Sequence, residues 1–343
     1  MNVLHRRSFL KGLAAFPGAA LCGILGAKNA SASIATPETV EAPALPWGYK
    51  ELDPEYLRKL GHLGYYAFEC GGGAFWAMMT ALKEAMGYPY TVIPLPTRKA
   101  VINHLKNKKS GMHLQVMMQF GVGGVANFGS LCGAPNGASS AINIALPMGD
   151  VKEVVPRLMR YYETTPFPSD KANETALKKA FYPPKYKSDK SLPQSASHSV
   201  LCHVSVGGWC EKAGYASGSK ERSERCARLT GDISAMGGIL LNAHMKGELH
   251  TVFPMKVSQE TAGCRTCHSK GKKYESGQFT RGMMECGNCH DDMRPHLGEN
   301  KLKTVYGADI GKWSGAAAMG TAAGLGAHAV SKRFGKGETD NDE

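Results

Sequence analysis

The pattern Cys-x-x-Cys-His occurs twice near the C-terminal end of this sequence, and it carries the most definite chemistry in the chain. The residues are Cys264, Cys267 and His268 in the first copy, and Cys286, Cys289 and His290 in the second. A gap of two residues places both thiols on one edge of a haem macrocycle, and the adjacent histidine reaches the iron as its proximal ligand. The sequence therefore predicts two covalently attached c-type haems per chain.

Two other interpretations of these cysteines exist. Eighteen residues separate Cys267 from Cys286, a spacing that also suits a zinc ribbon, and two structural disulfides would use the same thiols. Zinc would leave both adjacent histidines without a role, whereas haem attachment uses them. We therefore prefer the haem interpretation.

Each haem iron also needs a sixth ligand. Histidines are numerous and no single methionine stands out, so we predict bis-histidine coordination, which implies a lower reduction potential than that of His/Met haems. Position close to a cysteine or to a haem motif places four candidates first: His203, His244, His250 and His296. For each of them, a surface or hydrogen-bonded histidine with no role at iron is the alternative.

Five more cysteines precede the haem motifs in the central part of the chain: Cys70, Cys132, Cys202, Cys210 and Cys226. An odd number leaves at least one thiol outside any disulfide. Glycines stand at positions 71–73, directly after the first cysteine, and at position 133, directly after the second. Glycine lets the backbone approach a compact inorganic cluster and offer N–H groups to its sulfurs, so an iron centre is predicted here. Buried thiols or a disulfide pair are the alternative.

At these residues the sequence resembles the split-Soret cytochrome c family. It is more distantly similar to the wider redox family named for its Cys-x-Gly-Cys-Ala...Gly...Cys...Cys pattern. The resemblance covers roughly residues 60–296, and its stretches before the haem motifs are 69–77, 132–138, 201–205 with 209–210, and 221–232. In the wider pattern the fourth position of the first motif is cysteine, whereas this chain has Gly73, which leaves only Cys70 of that motif as a ligand.

The resemblance implies a mainly helical homodimer with two closely packed bis-histidine haems per subunit. It implies that the haems lie near the subunit interface and that an axial histidine comes from the partner subunit. It further implies a [2Fe–2S] or other non-haem iron centre in the helical domain. The ligands implied for that centre are Cys70, Cys132, Cys202 and Cys226, with Cys210 as a contested fifth.

Residues 1–32 have the order of a twin-arginine export signal. Paired arginines at 6–7 precede a weakly apolar run over 13–27, and residues 30–32, Ala-Ser-Ala, have the small-residue form of a cleavage site. An amphipathic first helix is the alternative. Because the twin-arginine route transports folded proteins, it suits a protein that receives a cofactor before export. We expect a periplasmic protein.

The chain is basic, with a net charge of +12, and residues 1–32 contain four basic residues and no acid, so their removal lowers the charge to +8. An exported basic protein meets anionic membranes and acidic redox proteins, and long-range attraction speeds such encounters. We therefore expect acidic or membrane-bound redox partners and no nucleic acid. A solvated basic surface without a dedicated partner is the alternative.

We expect a mainly α fold in which a helical, cysteine-bearing domain precedes an irregular dihaem segment. A proline-containing linker over 33–52 leads into the helical domain, 53–250. The dihaem segment, 251–297, has no apolar periodicity, so bound haem must hold it together. In the small-residue tail, 298–343, the uncharged run 313–330 is long enough for membrane association, although alanine and glycine give little transfer energy. A packed helix and a mobile extension are the alternatives for that run.

Helix signals locate the elements of the helical domain. Asp53 as N-cap and Pro54 at the first helical position begin one helix, and Gly87 ends it. Periodicity predicts further helices over 97–120, 137–146, 150–163, 172–181, 199–213 and 220–246. The last of these carries a stripe that should face a core: Cys226, Leu229, Ile233, Met236 and Leu240.

These features together predict an electron-transfer protein whose helical domain stores or relays electrons through a second iron centre. The sequence has no nucleophile triad, nucleotide-binding loop or paired-carboxylate site, so no catalytic residue is predicted. Two other functions stay open. A haem-dependent reductase of a small oxyanion or peroxide would need an iron with an open coordination position, and a redox sensor would respond through its cluster alone.

Overall fold

The computed structural model describes residues 42–107, 114–179, 183, 186–271 and 280–290. Its regular secondary structure is helical. The α-helices of these residues are α1 (Pro54–Met86), α2 (Arg98–Lys106), α3 (Gly133–Ala145), α4 (Met148–Thr164), α5 (Asp170–Leu177), α6 (Cys202–Ala213), α7 (Lys220–Met245), α8 (Leu249–Val252), α9 (Gln259–Cys264) and α10 (Gly287–His290). Within the described part of the chain, β-structure is limited to two isolated bridges, Leu131 with Leu201 and Phe167 with Ser195. The predicted mainly α fold is confirmed.

Helix α1 begins and ends where the sequence predicts. The Asp53 carboxylate accepts hydrogen bonds from two backbone N–H groups of the first turn, and Gly87, with φ of 71°, ends the helix. Between these ends the helix is kinked, because Glu69 has φ of 57° and ψ of −167°. The kink directly precedes Cys70, so it sets the direction in which the second half of α1 continues from that cysteine.

Helices α1 and α7 pack against each other at very short range. A Cβ atom added to Gly61 of α1 would lie 2.5 Å from Ser234 Oγ and 2.9 Å from Gly231 Cα of α7. The predicted stripe of α7 is buried at Leu229, Ile233, Met236 and Leu240, whereas Cys226 is partly exposed. The two helices therefore touch through their backbones at the glycines and pack apolar side chains into the core along the rest of the contact.

Buried charges cross the same contact. His62 Nε2 of α1 lies 3.0 Å from Glu224 Oε1 of α7, and Arg58 pairs with Asp232. Burial acts to raise the pKa of Glu224, but hydrogen bonds from His62 and neighbouring groups hold it at about 2. Because a buried charge is costly unless it is paired, these pairs specify how the two helices align.

The structure corrects several predictions made from the sequence. The helix predicted over 97–120 ends at Lys106, and residues 114–118 are not helical, because the chain there turns through Met118 with φ of 67°. Helix α3 begins four residues before the predicted start at 137. The segment predicted to be irregular after residue 251 contains the short helices α9 and α10.

Several predictions concern residues outside the described part of the chain. These are the export signal 1–32, residues 33–41 of the linker, His296 and the tail with its run 313–330. Among the described residues, no helix combines the length and the apolar character needed to cross a membrane.

The tight contact at Gly61 is testable by mutation. We expect Gly61→Ala to lower the free energy of unfolding by about 1–3 kcal/mol, because the new methyl group would meet the backbone of α7. Gly207→Ala is the matched control, since that exposed helical position has open space around it, and it should raise stability by up to about 1 kcal/mol. Chemical denaturation of the same preparation measures both, and equal stability of the two variants would contradict the contact.

Candidate functional site

Three cysteines from distant parts of the chain meet in the helical domain. Cys70 follows the kink of α1, Cys132 caps the N-terminus of α3, and Cys202 begins α6. The Cys132 thiol is hydrogen-bonded to both of the others. Backbone hydrogen bonds from Cys132 N to Val200 O (3.0 Å) and from Cys202 N to Ser130 O (2.7 Å) hold the two helix starts side by side. We call these three residues the thiol group.

Glycines bring the backbone against the thiol group. A Cβ atom on Gly133 would lie 2.6 Å from Cys70 Sγ, and one on Gly124 would lie 2.7 Å from Cys202 Cβ. Gly71 is equally restricted, since its Cβ would meet Met118 O. The role predicted for the glycines beside Cys70 and Cys132, close approach of the backbone, agrees with these contacts.

Backbone strain is concentrated beside the same thiols. Residues 123–127 all have positive φ, between 49° and 72°, and three of them are not glycine: Val125, Ala126 and Asn127. Left-handed backbone costs about 1–2 kcal/mol for each such residue. Hydrogen bonds from Ala126 N to Phe120 O (2.8 Å) and from Asn127 N to Val122 O (3.0 Å) hold this turn. Strain of this kind is typical of functional sites.

The surroundings of Cys70 and Cys132 favour the protonated thiol. Cys70 and Cys132 are 8% and 6% exposed. The hydrogen bond to Cys132, together with burial, raises the pKa of Cys70 well above its ordinary value, and the hydrogen bond to Cys202, together with burial, raises the pKa of Cys132 to about 12. A metal ion would have to displace these protons, because the thiolate is the form that binds metals.

The other two cysteines form a separate pair. Cys226 of α7 and Cys210 of α6 interact electrostatically with each other and with Arg222, and burial raises the pKa of Cys210. In the described part of the chain, no three His, Cys, Asp or Glu side chains are already arranged around one point as metal ligands are. A four-cysteine site that includes Cys226, with Cys210 as the contested fifth, therefore stays a prediction.

Two buried polar side chains near the thiol group were missed by the sequence reasoning. Tyr162 of α4 is fully buried with its hydroxyl beside Cys132 and Ser205, and burial raises its pKa. Arg225 of α7 is 1% exposed. The position of Arg225, directly before Cys226 and at the start of the core-facing stripe of α7, could have identified it. Arginine is seldom fully buried, so an arginine at such a position suggests a specific partner.

The two haem motifs lie beside each other. Cys264 ends α9, Cys286 precedes α10, and the Cys286 thiol is hydrogen-bonded to Cys264. Burial raises the pKa of Cys286. His268 is partly buried and His290 is exposed. The first cysteine of one motif therefore lies in contact with the first cysteine of the other.

Glu285 fastens the second motif to the helical domain. Its carboxylate accepts hydrogen bonds from the backbone N–H (3.1 Å) and the hydroxyl of Ser258, from the Thr261 hydroxyl, and from the Arg160 guanidinium. The backbone N–H of Cys286 donates to Thr261 Oγ1 at 3.0 Å. Burial acts to raise the pKa of Glu285, but the hydrogen bonds from Ser258 and Thr261 lower it below its usual value.

The predicted distal histidines differ in their surroundings. His244 Nδ1 lies 2.6 Å from Tyr49 Oη, and its Nε2 lies 3.4 Å from an Asp150 carboxylate oxygen. His250 Nδ1 accepts a hydrogen bond of 2.9 Å from Arg157. His203 is exposed on α6. Ligation by any of these histidines, or by His296 outside the described residues, stays a prediction.

A cavity of about 290 Å³ is lined by residues that precede both Cys132 and Cys286 in the chain. Leu131 and Val200, which flank the thiol group, form one side of it. Four methionines contribute to its lining: Met159, Met255, Met283 and Met284. Such a cavity offers apolar, polarisable contacts to a flat ligand.

Known proteins are similar to this chain in sequence and in structure. Over 299 residues it is 30% identical to the split-Soret cytochrome c of Desulfovibrio desulfuricans, an alignment that covers 84% of this chain and 95% of that protein. The chain belongs to the split-Soret cytochrome c family. A solved structure of a split-Soret cytochrome c from Desulfovibrio desulfuricans, reported to contain a novel iron centre, matches with a TM-score of 0.57 and 27% identity, over 74% of this chain and 94% of that chain.

The wider redox family is matched as well. The model of the family "Putative redox-active protein (C_GCAxxG_C_C)" matches residues 99–237. This range includes four of the five cysteines of the helical domain and leaves Cys70 outside, together with the predicted first motif at 69–77. Membership of the split-Soret cytochrome c family rests on the longer alignment, which spans most of the chain.

Glu285 gives a direct test of how the haem segment is held. We expect Glu285→Gln to weaken the attachment of residues 258–264 and 280–286 by about 1–3 kcal/mol, because charge-assisted hydrogen bonds are lost. Since the pKa of Glu285 is lowered, its contribution is complete above its unfolded pKa and is lost as the pH falls through the lower folded value. The difference between wild type and variant should therefore shrink in acid.

Hydrogen exchange of the apoprotein between pH 7 and pH 3 measures this effect. The matched control is Glu248→Gln, an exposed carboxylate outside this hydrogen-bond cluster. Protection of the segment that is unchanged in Glu285→Gln at pH 7 would show that the carboxylate does not fasten it.

Proposed function

We propose that this protein is a periplasmic electron carrier with two covalently bound c-type haems and an additional non-haem iron centre. The observation that carries the proposal is the contact between Cys264 and Cys286, because it brings two complete haem-attachment motifs to one place. Membership of a cytochrome family supports haem and a role in electron transfer. The iron centre reported for the Desulfovibrio desulfuricans relative supports a second type of iron.

The chain's own residues have distinct parts in this proposal. Haem, when bound, supplies reversible one-electron oxidation and reduction. The four motif cysteines would form the thioether bonds, with His268 and His290 as proximal ligands. Glu285 and Arg160 hold the segment on α4, and the methionine-lined cavity offers an apolar wall that excludes water and so affects the potential.

The thiol group is the core of the proposed iron centre. Cys70 and Cys132 are buried, the Cys132 thiol contacts both other thiols, and the glycines leave room where any Cβ atom would collide with backbone or sulfur. These features fit a compact cluster, either [2Fe–2S] or another form of non-haem iron. Cys226 is the proposed fourth ligand, and Cys210 is its competitor.

The cavity gives both sites a common wall. Its lining includes Leu131, the residue before Cys132, and Met284, two residues before Cys286. Short separation favours electron exchange between two centres, so a carrier that relays electrons internally would need such an arrangement. We infer that the helical domain and the haem segment act as one unit.

Assembly and location complete the proposal. We propose a homodimer in which an exposed histidine such as His203 is available to the partner subunit, as the family resemblance implies. The basic sequence and the export signal 1–32 support a periplasmic protein with acidic or membrane-bound redox partners. Association with the membrane through residues 313–330 is part of the same proposal.

Haem quantitation tests the first half of this function. We expect two haems per chain, measured as the pyridine haemochrome of protein matured in a host competent for haem attachment. His268→Ala should change the Soret spectrum of the first haem, because it removes the proposed proximal ligand of that iron. A preparation without a Soret band, or with zinc at the four cysteines, would remove the haem assignment.

Iron quantitation tests the second half. We expect more iron than haem in the wild type, and we expect Cys132→Ser to lose the excess with both haems retained, because the serine breaks the centre of the thiol group. Cys210→Ser is the matched control and should keep the excess iron if Cys226 is the fourth ligand. Two irons per chain and no more in the wild type would remove the additional centre.

A further inference from the structure

A buried arginine lies next to the cysteines without the counter-charge that such a group requires. Arg225 of α7 is 1% exposed. Its Nη2 donates a hydrogen bond of 2.9 Å to Ser205 Oγ, and its Nη1 lies 4.0 Å from Cys226 Sγ. Its Nε, also buried, has no hydrogen-bond partner among the described residues.

Most other buried arginines of the same core are paired with carboxylates, whereas Arg157 of α4, which is 5% exposed, donates to two backbone carbonyl oxygens and to His250 Nδ1. Arg228, one turn further along α7, lies 3.0 Å from the Glu224 carboxylate, and Arg160 of α4 lies 2.7 Å from that of Glu163. Within the described part of the chain, no ion pair joins Arg225 to a carboxylate. Arginine does not lose its proton in proteins, so the charge cannot be avoided by titration. A buried cation without an anion is strongly unfavourable.

The side chains around Arg225 connect it with the thiol group. Ser205, the partner of Arg225, lies beside the Tyr162 hydroxyl, which in turn lies beside Cys132. On its other side Arg225 reaches Cys226. The guanidinium therefore neighbours the proposed fourth ligand directly and the thiol group through Ser205 and Tyr162. A protonated thiol has no charge to balance it, whereas an iron–thiolate cluster carries net negative charge, since thiolates and sulfides together outweigh the charge of the irons.

We propose that Arg225 is the built-in counter-charge of an anionic iron centre held by Cys70, Cys132, Cys202 and Cys226, and that it sets the reduction potential of that centre. This inference rests on the proposed function. Arg225 acts as a positioning residue, directly towards Cys226 and through Ser205 and Tyr162 towards Cys132. Reduction adds one electron and hence one negative charge to the centre, so a fixed cation stabilises the reduced form and raises the potential.

The proposal predicts opposite effects in the two states of the protein. Without iron, Arg225 is an uncompensated charge, so its removal should leave the protein at least as stable as the wild type. With iron, the same removal should lower the iron content and shift the potential of the centre downwards. If Arg225 only filled space, its removal would destabilise both states and leave the potential unchanged.

The experiment uses the full-length holoprotein with three variants. Arg225→Gln removes the charge, Arg225→Lys keeps it, and Lys220→Gln removes an exposed charge at the start of the same helix. Non-haem iron per haem and the midpoint potential of the non-haem centre, followed by its electron paramagnetic resonance signal, are the readouts. Denaturation of iron-free samples gives the stability of the other state.

We expect Arg225→Gln to show a lower potential and reduced iron content, Arg225→Lys to restore most of both, and Lys220→Gln to match the wild type. An unchanged potential in Arg225→Gln, or a drop of equal size in Lys220→Gln, would overturn the proposal. Should Arg225→Gln not fold even without iron, a purely structural role is indicated and the proposal also falls. Wild-type protein with no iron beyond its haems would instead refute the proposed iron centre itself, before any variant is compared.

Discussion

Close packing of helix α1 against helix α7 is the interaction on which the other features of the described structure depend. The backbones of the two helices are in contact at Gly61 and Gly231, and neither position has room for a Cβ atom. The paired charges of Glu224 and Asp232 permit one alignment of the two helices, because any other would leave carboxylates buried without partners. This alignment determines where Cys70 of α1 lies relative to Arg225 and Cys226 of α7.

Several unusual features lie together around the thiol group. Cys70 and Cys132 are buried, Arg225 has no carboxylate partner among the described residues, and residues 123–127 hold left-handed backbone. The last two cost stability, and a tightly bound anionic centre would offset the charge of Arg225 beside the backbone of Gly123, which is hydrogen-bonded to Cys70. The proposed iron centre therefore gives one explanation for three otherwise separate observations.

The haem segment depends on the helical domain in a different way. Its described residues form short helices, and Glu285 fastens them through contacts with Arg160, Ser258 and Thr261. Segments with little apolar surface need such contacts or a covalent cofactor to stay folded. A helical domain that folds first would leave this segment accessible for haem attachment, and attachment would then complete its packing against the methionine-lined cavity.

The sequence by itself determined the features that depend on local spacing. The two haem motifs, the capped start of α1 at Asp53 and the buried stripe of α7 all follow from neighbours within a few residues. The helix predicted over 97–120 was wrong beyond Lys106, because periodicity does not register the strained turn that reaches towards Cys70. Only the tertiary structure decided that Cys132 contacts Cys70 and Cys202, that Cys210 interacts with Cys226, and that Arg225 is buried without a carboxylate. Such contacts join residues far apart in the chain, and they are set by how closely the helices pack.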